Sequence, residues 1–174
     1  FLHKHDKPKI AMQAISSVEL ESSLAMQLNQ VLRSNHIAGA TNHNQVDVYH
    51  QDTQAFEQLM LAIDNAKSHI HIETYIFELD STGQKILDAL IQKAKQGVEV
   101  CLLMDSLGSL NLHFKSKKLQ QLKQAGGSYA FFQPILSSLL KGQVNLRNHR
   151  KIYLFDQETL LTGGMNLTDE YLGP

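Results

Sequence analysis

From residue 46 to residue 132, segments with the hydrophobic pattern of a strand alternate with segments that have the hydrophobic pattern of a helix. Short runs rich in β-branched and aromatic residues predict strands, and stretches with apolar residues three or four positions apart predict helices between them. The predicted strands are 46–50, 69–77, 98–104 and 129–132, and the predicted helices are 52–67, with Asp52 as N-cap, 82–96 and 115–125. This alternation predicts an α/β fold with a mixed, largely parallel sheet flanked by helices.

The residues before this region have a different pattern. Residues 13–34 predict an amphipathic helix, and 36–44, rich in Asn and His, indicate a linker. We therefore divide the chain into an N-terminal helical segment with its linker, 1–45, and an α/β domain, 46–174. Because the sequence stops soon after residue 166, we expect this domain to be truncated at its C-terminus and the chain to be a fragment.

Composition excludes several classes of protein. With 43% hydrophobic residues among 174, the chain can bury a sizeable core. The single cysteine, Cys101, lies in an apolar run, which rules out a disulfide framework and a CxxC metal site. No apolar run approaches the roughly 20 residues of a membrane-spanning helix, and no signal-peptide pattern opens the chain.

The net charge of −1 hides an asymmetry. Residues 106–155 contain no Asp or Glu but eight Lys or Arg, so the other residues carry 16 − 8 = 8 basic groups against 17 acidic ones. A positive segment of this kind suits an anionic partner such as a phospholipid headgroup or nucleic acid. For the lysines near residues 115–123 a solvated helix face is the simpler interpretation, but three cations flank one histidine. They are Arg147, Arg150 and Lys151.

That histidine, His149, opens a predicted β-hairpin. The apolar runs 152–155 and 159–162 predict two strands, joined by a turn at Asp156-Gln157-Glu158. Along an extended strand His149 and Lys151 lie on one face and Ile152 and Leu154 on the other. We expect the first face to be reactive and the second to pack.

The second strand of the hairpin leads back towards His149. Gly163 and Gly164 let the backbone approach an oxyanion closely, and the amide of Asn166 can donate to it. A nucleophile, a cation and donors of this kind are what a phosphodiester site needs. A surface histidine beside basic residues is the plain alternative, but the combination of residue types at these intervals favours a site.

Other candidates have simpler explanations. His69, His71 and Glu73 alternate on one strand face and permit a metal site, but the signal is weak and we expect no metal. Asp105 ends a buried strand, where capping the turn 106–109 is a better interpretation than binding a ligand. Asp169 and Glu170 after Thr168 indicate the first turn of a capped helix. The apolar loop 134–140 either packs under the site or touches lipid, and packing is the commoner outcome.

The hairpin resembles the HKD motif of the phospholipase D superfamily. Many relatives have Ser at the position of Gly164, whereas Gly-Gly-Met-Asn followed by Asp-Glu-Tyr is similar to the bacterial cardiolipin synthase branch. Four segments carry the resemblance: 70–77, 97–109, 145–151 and 163–173. They correspond to the N-terminal catalytic half of that family, which implies a phospholipase D-like fold.

The resemblance also implies an activity. Cardiolipin would form from two phosphatidylglycerol molecules by ping-pong transfer, with His149 attacking phosphorus and Lys151, Asn166 and amides near Gly163 and Gly164 stabilising the charge. A second HKD half, from the same chain or a dimer mate, would supply the acid. Asp156 belongs to the catalytic motif, where it fixes the hairpin rather than transferring a proton. Arg147 and Glu73 are the remaining candidates for binding substrate, and no metal or other cofactor is implied.

The implied partner is anionic phospholipid at the surface of the bacterial cytoplasmic membrane, reached peripherally or through anchoring segments outside this chain. Two alternatives remain open. One is a single-motif nuclease or phosphodiesterase that builds its site across a homodimer and takes nucleic acid as partner, which the basic segment would suit. The other is a non-catalytic lipid-binding module.

Overall fold

A computed structural model describes residues 22–41, 44–114, 116–134 and 145–173, and for residues 113, 114 and 116 the backbone alone. The chain divides between Val48 and Tyr49 into two compact units. In the first, helix α1 spans Ser23–Ser34 and is capped by the Ser22 hydroxyl, which accepts from the amide of Ala25 at 3.1 Å. The amphipathic helix predicted from residue 13 is thus confirmed from residue 23 onward, and its first part, 13–21, lies outside the described residues.

The predicted strand at 46–50 is wrong. The segment pairs with no described strand, and Val46 and Val48 are 81% and 83% exposed. A five-residue alternation of apolar and polar residues indicates a strand only where one face can be buried, and here both valines are exposed. The helix that follows begins at Asp52 itself, with Gln51 at the N-cap position, while the Asp52 carboxylate accepts from the amide of Thr53 at 2.8 Å.

The second unit contains one five-stranded sheet. The helices are α2 Asp52–Asn65, α3 Ser81–Lys95, α4 Leu110–Phe114, α5 Ser116–Gln124 and α6 Asp169–Leu172. The strands are β1 His69–Thr74, β2 Glu99–Asp105, β3 Ser128–Phe132, β4 Ile152–Phe155 and β5 Thr159–Thr162. Their order is β3-β2-β1-β4-β5, with β1, β2 and β3 parallel and β4 antiparallel to both its neighbours. Four strands therefore run in one direction, which confirms the mixed, largely parallel α/β sheet.

One face of the sheet is buried against helices. Every second residue of β1 and β2, beginning with Ile70 and Val100, is at most 2% exposed. These side chains belong to the same hydrophobic core as Leu87 and Leu90 of α3. On β4 this buried face carries Tyr153 and Phe155, 6% and 3% exposed, whereas Ile152 and Leu154 on the other face are only half-buried.

The expectation that the face opposite His149 packs is therefore wrong. Lys151, Tyr153 and Phe155 are two residues apart along the chain, so their side chains lie on the same face. The face that carries Lys151 is therefore the one that continues into the core. Periodicity separates the two faces of a strand, but only the placement of the helices decides which face is covered.

Two carboxylates join the start of α3 to the start of α6. Asp80 caps α3 by accepting from the amide of Gly83 at 2.9 Å, and it also accepts from the amide of Asp169 at 2.6 Å. Asp169 in turn accepts from the amides of Ser81 and Thr82 at 3.2 and 2.7 Å, and its bonds to Thr82 and Ser81 lower its pKa. The acidic first turn predicted for α6 is present, and the described helices include none long and apolar enough to cross a membrane.

Candidate active site

His149 and Lys151 lie together just before β4. The Lys151 Nζ is 3.2 Å from Nδ1 and 3.4 Å from Nε2 of His149. A donor in the plane of an imidazole can be this close to only one ring nitrogen, so the ammonium lies against the face of the ring and leaves the in-plane lone pair directed elsewhere. Lys151 is 4% exposed and burial lowers its pKa, while His149 is exposed. The arrangement presents an accessible imidazole beside a buried ammonium group.

Tyr75 completes this cluster from the end of β1. Its ring centroid is 4.6 Å from that of His149 at an interplanar angle of 47°, and Lys151 Nζ lies 5.5 Å from the Tyr75 centroid. Aromatic contacts at this spacing restrict ring rotation. Sequence reasoning assigned Tyr75 no role in the site, because an aromatic residue at a strand end is an ordinary feature of a sheet.

The neighbouring residue, Asn148, fixes the backbone that carries His149. It is 8% exposed, its amide N–H donates to Asp105 Oδ2 at 3.0 Å, and its side chain donates to Glu73 Oε1 at 2.5 Å. Its own Oδ1 accepts from the amide of Arg150 at 3.3 Å. Asn148 therefore ties the backbone on either side of His149 to Asp105 and Glu73, and the sequence did not single it out.

Asp105 anchors this arrangement from the carboxyl end of β2. It is fully buried, and its Oδ1 accepts from the amides of Leu107 and Gly108 at 2.9 and 3.1 Å. The turn-capping interpretation is thus confirmed, but the second oxygen does more, because it holds Asn148. One carboxylate connects the turn after β2 to the loop that carries His149.

Arg147 and Glu73, both predicted to bind substrate, contact protein groups instead. The Arg147 guanidinium is 12% exposed and lies 3.6 Å from Asp105 Oδ1, 3.3 Å from Ser106 Oγ and 3.4 Å from the carbonyl of Gln133. Glu73 accepts from Asn148 and lies 3.8 Å from the Arg150 guanidinium. These contacts favour a role in holding the loop, and direct binding of substrate by either residue stays a prediction.

The second half of the hairpin brings Asn166 to the end of β1. Asn166 is 2% exposed and its Oδ1 accepts from the amide of Ile76 at 3.3 Å, one residue from Tyr75. Gly163 and Gly164 are exposed, and a Cβ at either position would meet no described heavy atom within 4 Å. The fold of the described residues therefore does not require glycine there, and the role of the pair towards a phosphate stays a prediction.

Asp156 lies at the opposite end of β4. It follows Lys151 by five positions, roughly 17 Å at about 3.3 Å per residue. Its carboxylate accepts from the amides of Lys67, Ser68 and His69 at 2.8–2.9 Å and from the Ser68 hydroxyl at 2.8 Å. The bonds from His69, Lys67 and Ser68 hold its pKa well below the usual range. It fixes the hairpin against the start of β1 and does not reach His149 or Lys151.

The fold is that of the phospholipase D family. The structure superposes with a TM-score of 0.52 on Nuc from Salmonella typhimurium, a phospholipase D family member, at 22% identity and covering 67% of each chain. NucT from Helicobacter pylori gives a TM-score of 0.50 at 15% identity, covering 70% of this chain and 72% of its own. At these identities the likeness concerns the fold alone.

Sequence similarity narrows the class. The family described as cardiolipin synthase, PLD-like domain, matches residues 59–173, and the chain belongs to that family. It is 44% identical to a cardiolipin synthase of Clostridium perfringens over 76% of this chain and 27% of that protein. It is also 40% identical to cardiolipin synthase 1 of Bacillus cereus and 38% identical to the major cardiolipin synthase of Bacillus subtilis, over 99% and 97% of this chain. These alignments span 35% and 37% of the two Bacillus proteins, so the chain covers about a third of their length.

Proposed function

We propose that residues 46–174 form the N-terminal catalytic half of a phosphatidyltransferase that makes cardiolipin from two phosphatidylglycerol molecules. The observation that supports this most directly is the contact of the Lys151 ammonium with an accessible His149 imidazole on an anchored loop. The family match and the cardiolipin synthases at 38–44% identity support the choice of substrate.

In the first step a ring nitrogen of His149 attacks the phosphorus of phosphatidylglycerol. The N–P bond forms, the P–O bond to the headgroup glycerol breaks, and the leaving alkoxide takes a proton from a general acid. Lys151 stabilises the growing charge on the non-bridging oxygens, and Asn166 and amides near Gly163 and Gly164 supply further donors. The product is a phosphatidyl-histidine.

In the second step a hydroxyl of another phosphatidylglycerol attacks the phosphohistidine. The same proton carrier, now a base, removes the hydroxyl proton, and His149 leaves as neutral imidazole with cardiolipin as product. We assign this carrier to a second HKD half, from the same polypeptide or from a dimer mate. Fixed donors and cations supply the electrostatic stabilisation, and the proposal includes no cofactor.

The substrate places the site at the bacterial cytoplasmic membrane, reached peripherally or through anchoring segments outside this chain. Arg150, 73% exposed beside His149, is the cation best placed to attract an anionic headgroup. Its nearest acidic partner, Glu73, lies at 3.8 Å, where an exposed pair contributes little and can exchange for a lipid phosphate.

The test is the fate of labelled phosphatidylglycerol with the full-length protein and two variants. We expect His149→Ala to abolish cardiolipin formation and Lys151→Ala to lower its rate by about 100- to 1000-fold, since loss of one donor to developing charge costs about 2.7–4 kcal/mol. Label from the phosphatidyl group that stays on the wild-type protein after denaturation at neutral to alkaline pH, where the P–N bond of a phosphohistidine is stable, and that is released by acid would identify the intermediate. No such label should remain on His149→Ala. Cardiolipin formation by folded His149→Ala would refute the assignment.

Two further assays, plasmid cleavage and vesicle binding, address the two alternatives. A homodimeric single-motif nuclease predicts plasmid cleavage that depends on His149, and Nuc and NucT share its fold. It is less favoured, because the relatives of much higher identity are cardiolipin synthases. A lipid-binding module predicts vesicle binding that needs Arg150 but no turnover in any variant.

A further inference from the structure

A second cluster of reactive side chains lies on the half-exposed face of the sheet, away from His149. In the parallel pairing of β1 with β2, His69 is opposite Glu99 and His71 is opposite Cys101. Strands lie about 4.8 Å apart and side chains alternate with a period of two, so these four residues form a two-by-two array on one face. Such an array brings donors from two strands to one point above the sheet.

The donor atoms converge at distances suited to a metal ion. His71 Nε2 is 3.3 Å from Glu99 Oε1, and Cys101 Sγ is 3.6 Å from the same oxygen. One donor atom from each of these three residues lies within 4.8 Å of the others. Ligands of tetrahedral zinc, with bonds of about 2.0–2.3 Å, are separated by about 3.3–3.8 Å. Small side-chain rotations would therefore seat a cation.

His69 is oriented towards the same point. Its Nε2 is 3.8 Å from Glu99 Oε2, and its Nδ1 is 2.8 Å from Ser68 Oγ. The Ser68 hydroxyl already donates to Asp156 Oδ1, so its oxygen is left to accept from Nδ1–H. With Nδ1 turned to Ser68, the other ring nitrogen, Nε2, is directed at the Glu99 carboxylate, and a cation between them would bind both groups. Hydrogen bonding of the second ring nitrogen is the usual device that orients metal-binding histidines.

We propose that His69, His71, Glu99 and Cys101 bind one transition-metal cation, with zinc as the best match. Two imidazoles, a thiolate and a carboxylate are the donor types zinc takes in proteins, and the soft sulfur disfavours magnesium and calcium. Binding releases the thiol proton to solvent and joins β1 to β2 near their amino ends. The site is structural and independent of the proposed transferase activity.

Metal binding is measured directly on the purified, chelator-treated protein. We expect one equivalent of Co²⁺ to give a thiolate-to-cobalt charge-transfer band in the near ultraviolet, and Zn²⁺ to displace it and raise the melting temperature. Cys101→Ser should remove the band, and His71→Ala or Glu99→Gln should weaken zinc binding by at least about tenfold. His50→Ala, an exposed histidine outside the cluster, is the matched control and should bind as the wild type does.

Circular dichroism checks that each variant is folded. Because the His71 and Glu99 side chains are 42% and 58% exposed, their replacement should leave the fold intact and so keep the test informative even if Cys101→Ser unfolds. The proposal fails if folded wild-type protein gives no charge-transfer band. It also fails if His71→Ala and Glu99→Gln bind zinc as tightly as His50→Ala does.

Discussion

Replacing Asp105 by Asn tests whether one buried carboxylate holds the nucleophile loop in place. The substitution keeps size and shape but removes the charge and turns one acceptor into a donor. The remaining oxygen can still accept from the amides of Leu107 and Gly108, now at 2.9 and 3.1 Å. The new NH₂ group then faces the amide N–H of Asn148, which at present donates across 3.0 Å. Two donors face each other, and the anchor before His149 is lost.

The magnitude follows from the contacts. A hydrogen bond to a charged group contributes about 1.5–3 kcal/mol. Removal of one partner of a buried ion pair costs about 3–5 kcal/mol, and the Arg147 guanidinium, 12% exposed and 3.6 Å from Asp105, loses its countercharge. Both effects arise from the same lost charge and overlap, so we expect a total of about 3–5 kcal/mol.

Urea unfolding of the variant against wild type measures this loss. The matched control is Asp88→Asn, the same chemical change at a carboxylate that is 51% exposed and bonded to Lys118 at 2.9 Å. A surface pair of this kind contributes at most about 1 kcal/mol. Similar unfolding free energies for the two variants would refute the anchoring role. Full stability with lost activity would instead place Asp105 among the reacting groups.

Three further predictions concern other contacts of the domain. Gly108→Ala should destabilise the protein by about 1–3 kcal/mol or more, because its Cβ would lie 2.3 Å from the Tyr75 carbonyl oxygen, whereas Gly164→Ala, with open space, should unfold at the wild-type urea midpoint. Tyr75→Ala should lower the rate of cardiolipin formation by about tenfold to hundredfold by releasing the His149 ring, and equal rates for Tyr75→Ala and Tyr75→Phe would contradict that role. Folding lowers the pKa of Asp156, so its carboxylate stabilises the folded protein fully above its ordinary pKa of about 3.8. This stabilisation is lost as the pH falls from that value towards the lower pKa of the folded state. The urea midpoints of wild type and Asp156→Asn should therefore differ most near neutral pH and converge in acid, and a constant difference would argue against the carboxylate.

Local pattern predicted most of the fold because each long element buries a face of its own. Helix α3 and strand β2 carry continuous apolar sets, and both lie within one residue of their predicted bounds. The strand predicted at Val46 failed since its side chains find no surface to cover. A period of two gives the faces of a strand but not which face is covered, and for this reason the packing assigned to Ile152 was wrong.

Only those parts of the site that lie close together in the sequence could be predicted. His149 and Lys151 lie two residues apart in the segment just before β4, and their side chains are in contact. Glu73 and Asp105 come from two other strands, and their partner Asn148 gave no signal beyond standing next to the histidine. The cluster of His69 and His71 shows the same limit, because its carboxylate comes from Glu99 across the sheet rather than from Glu73 along the strand.

The spacing of the HKD motif is explained by two tasks at opposite ends of one short strand. At the start of β4, His149 and Lys151 face the open end of the sheet, where buried Asp105 and Asn148 hold the loop. At its end, Asp156 takes four hydrogen bonds from the segment that begins β1. Because β4 pairs with β1 along its length, fixing the far end sets the register. The register pairs Ile152 with Glu73 and so sets the position of the preceding residues, His149 and Lys151. A shift of one residue would turn Lys151 to the opposite face, so Asp156, roughly 17 Å away, still determines the geometry of the proposed site.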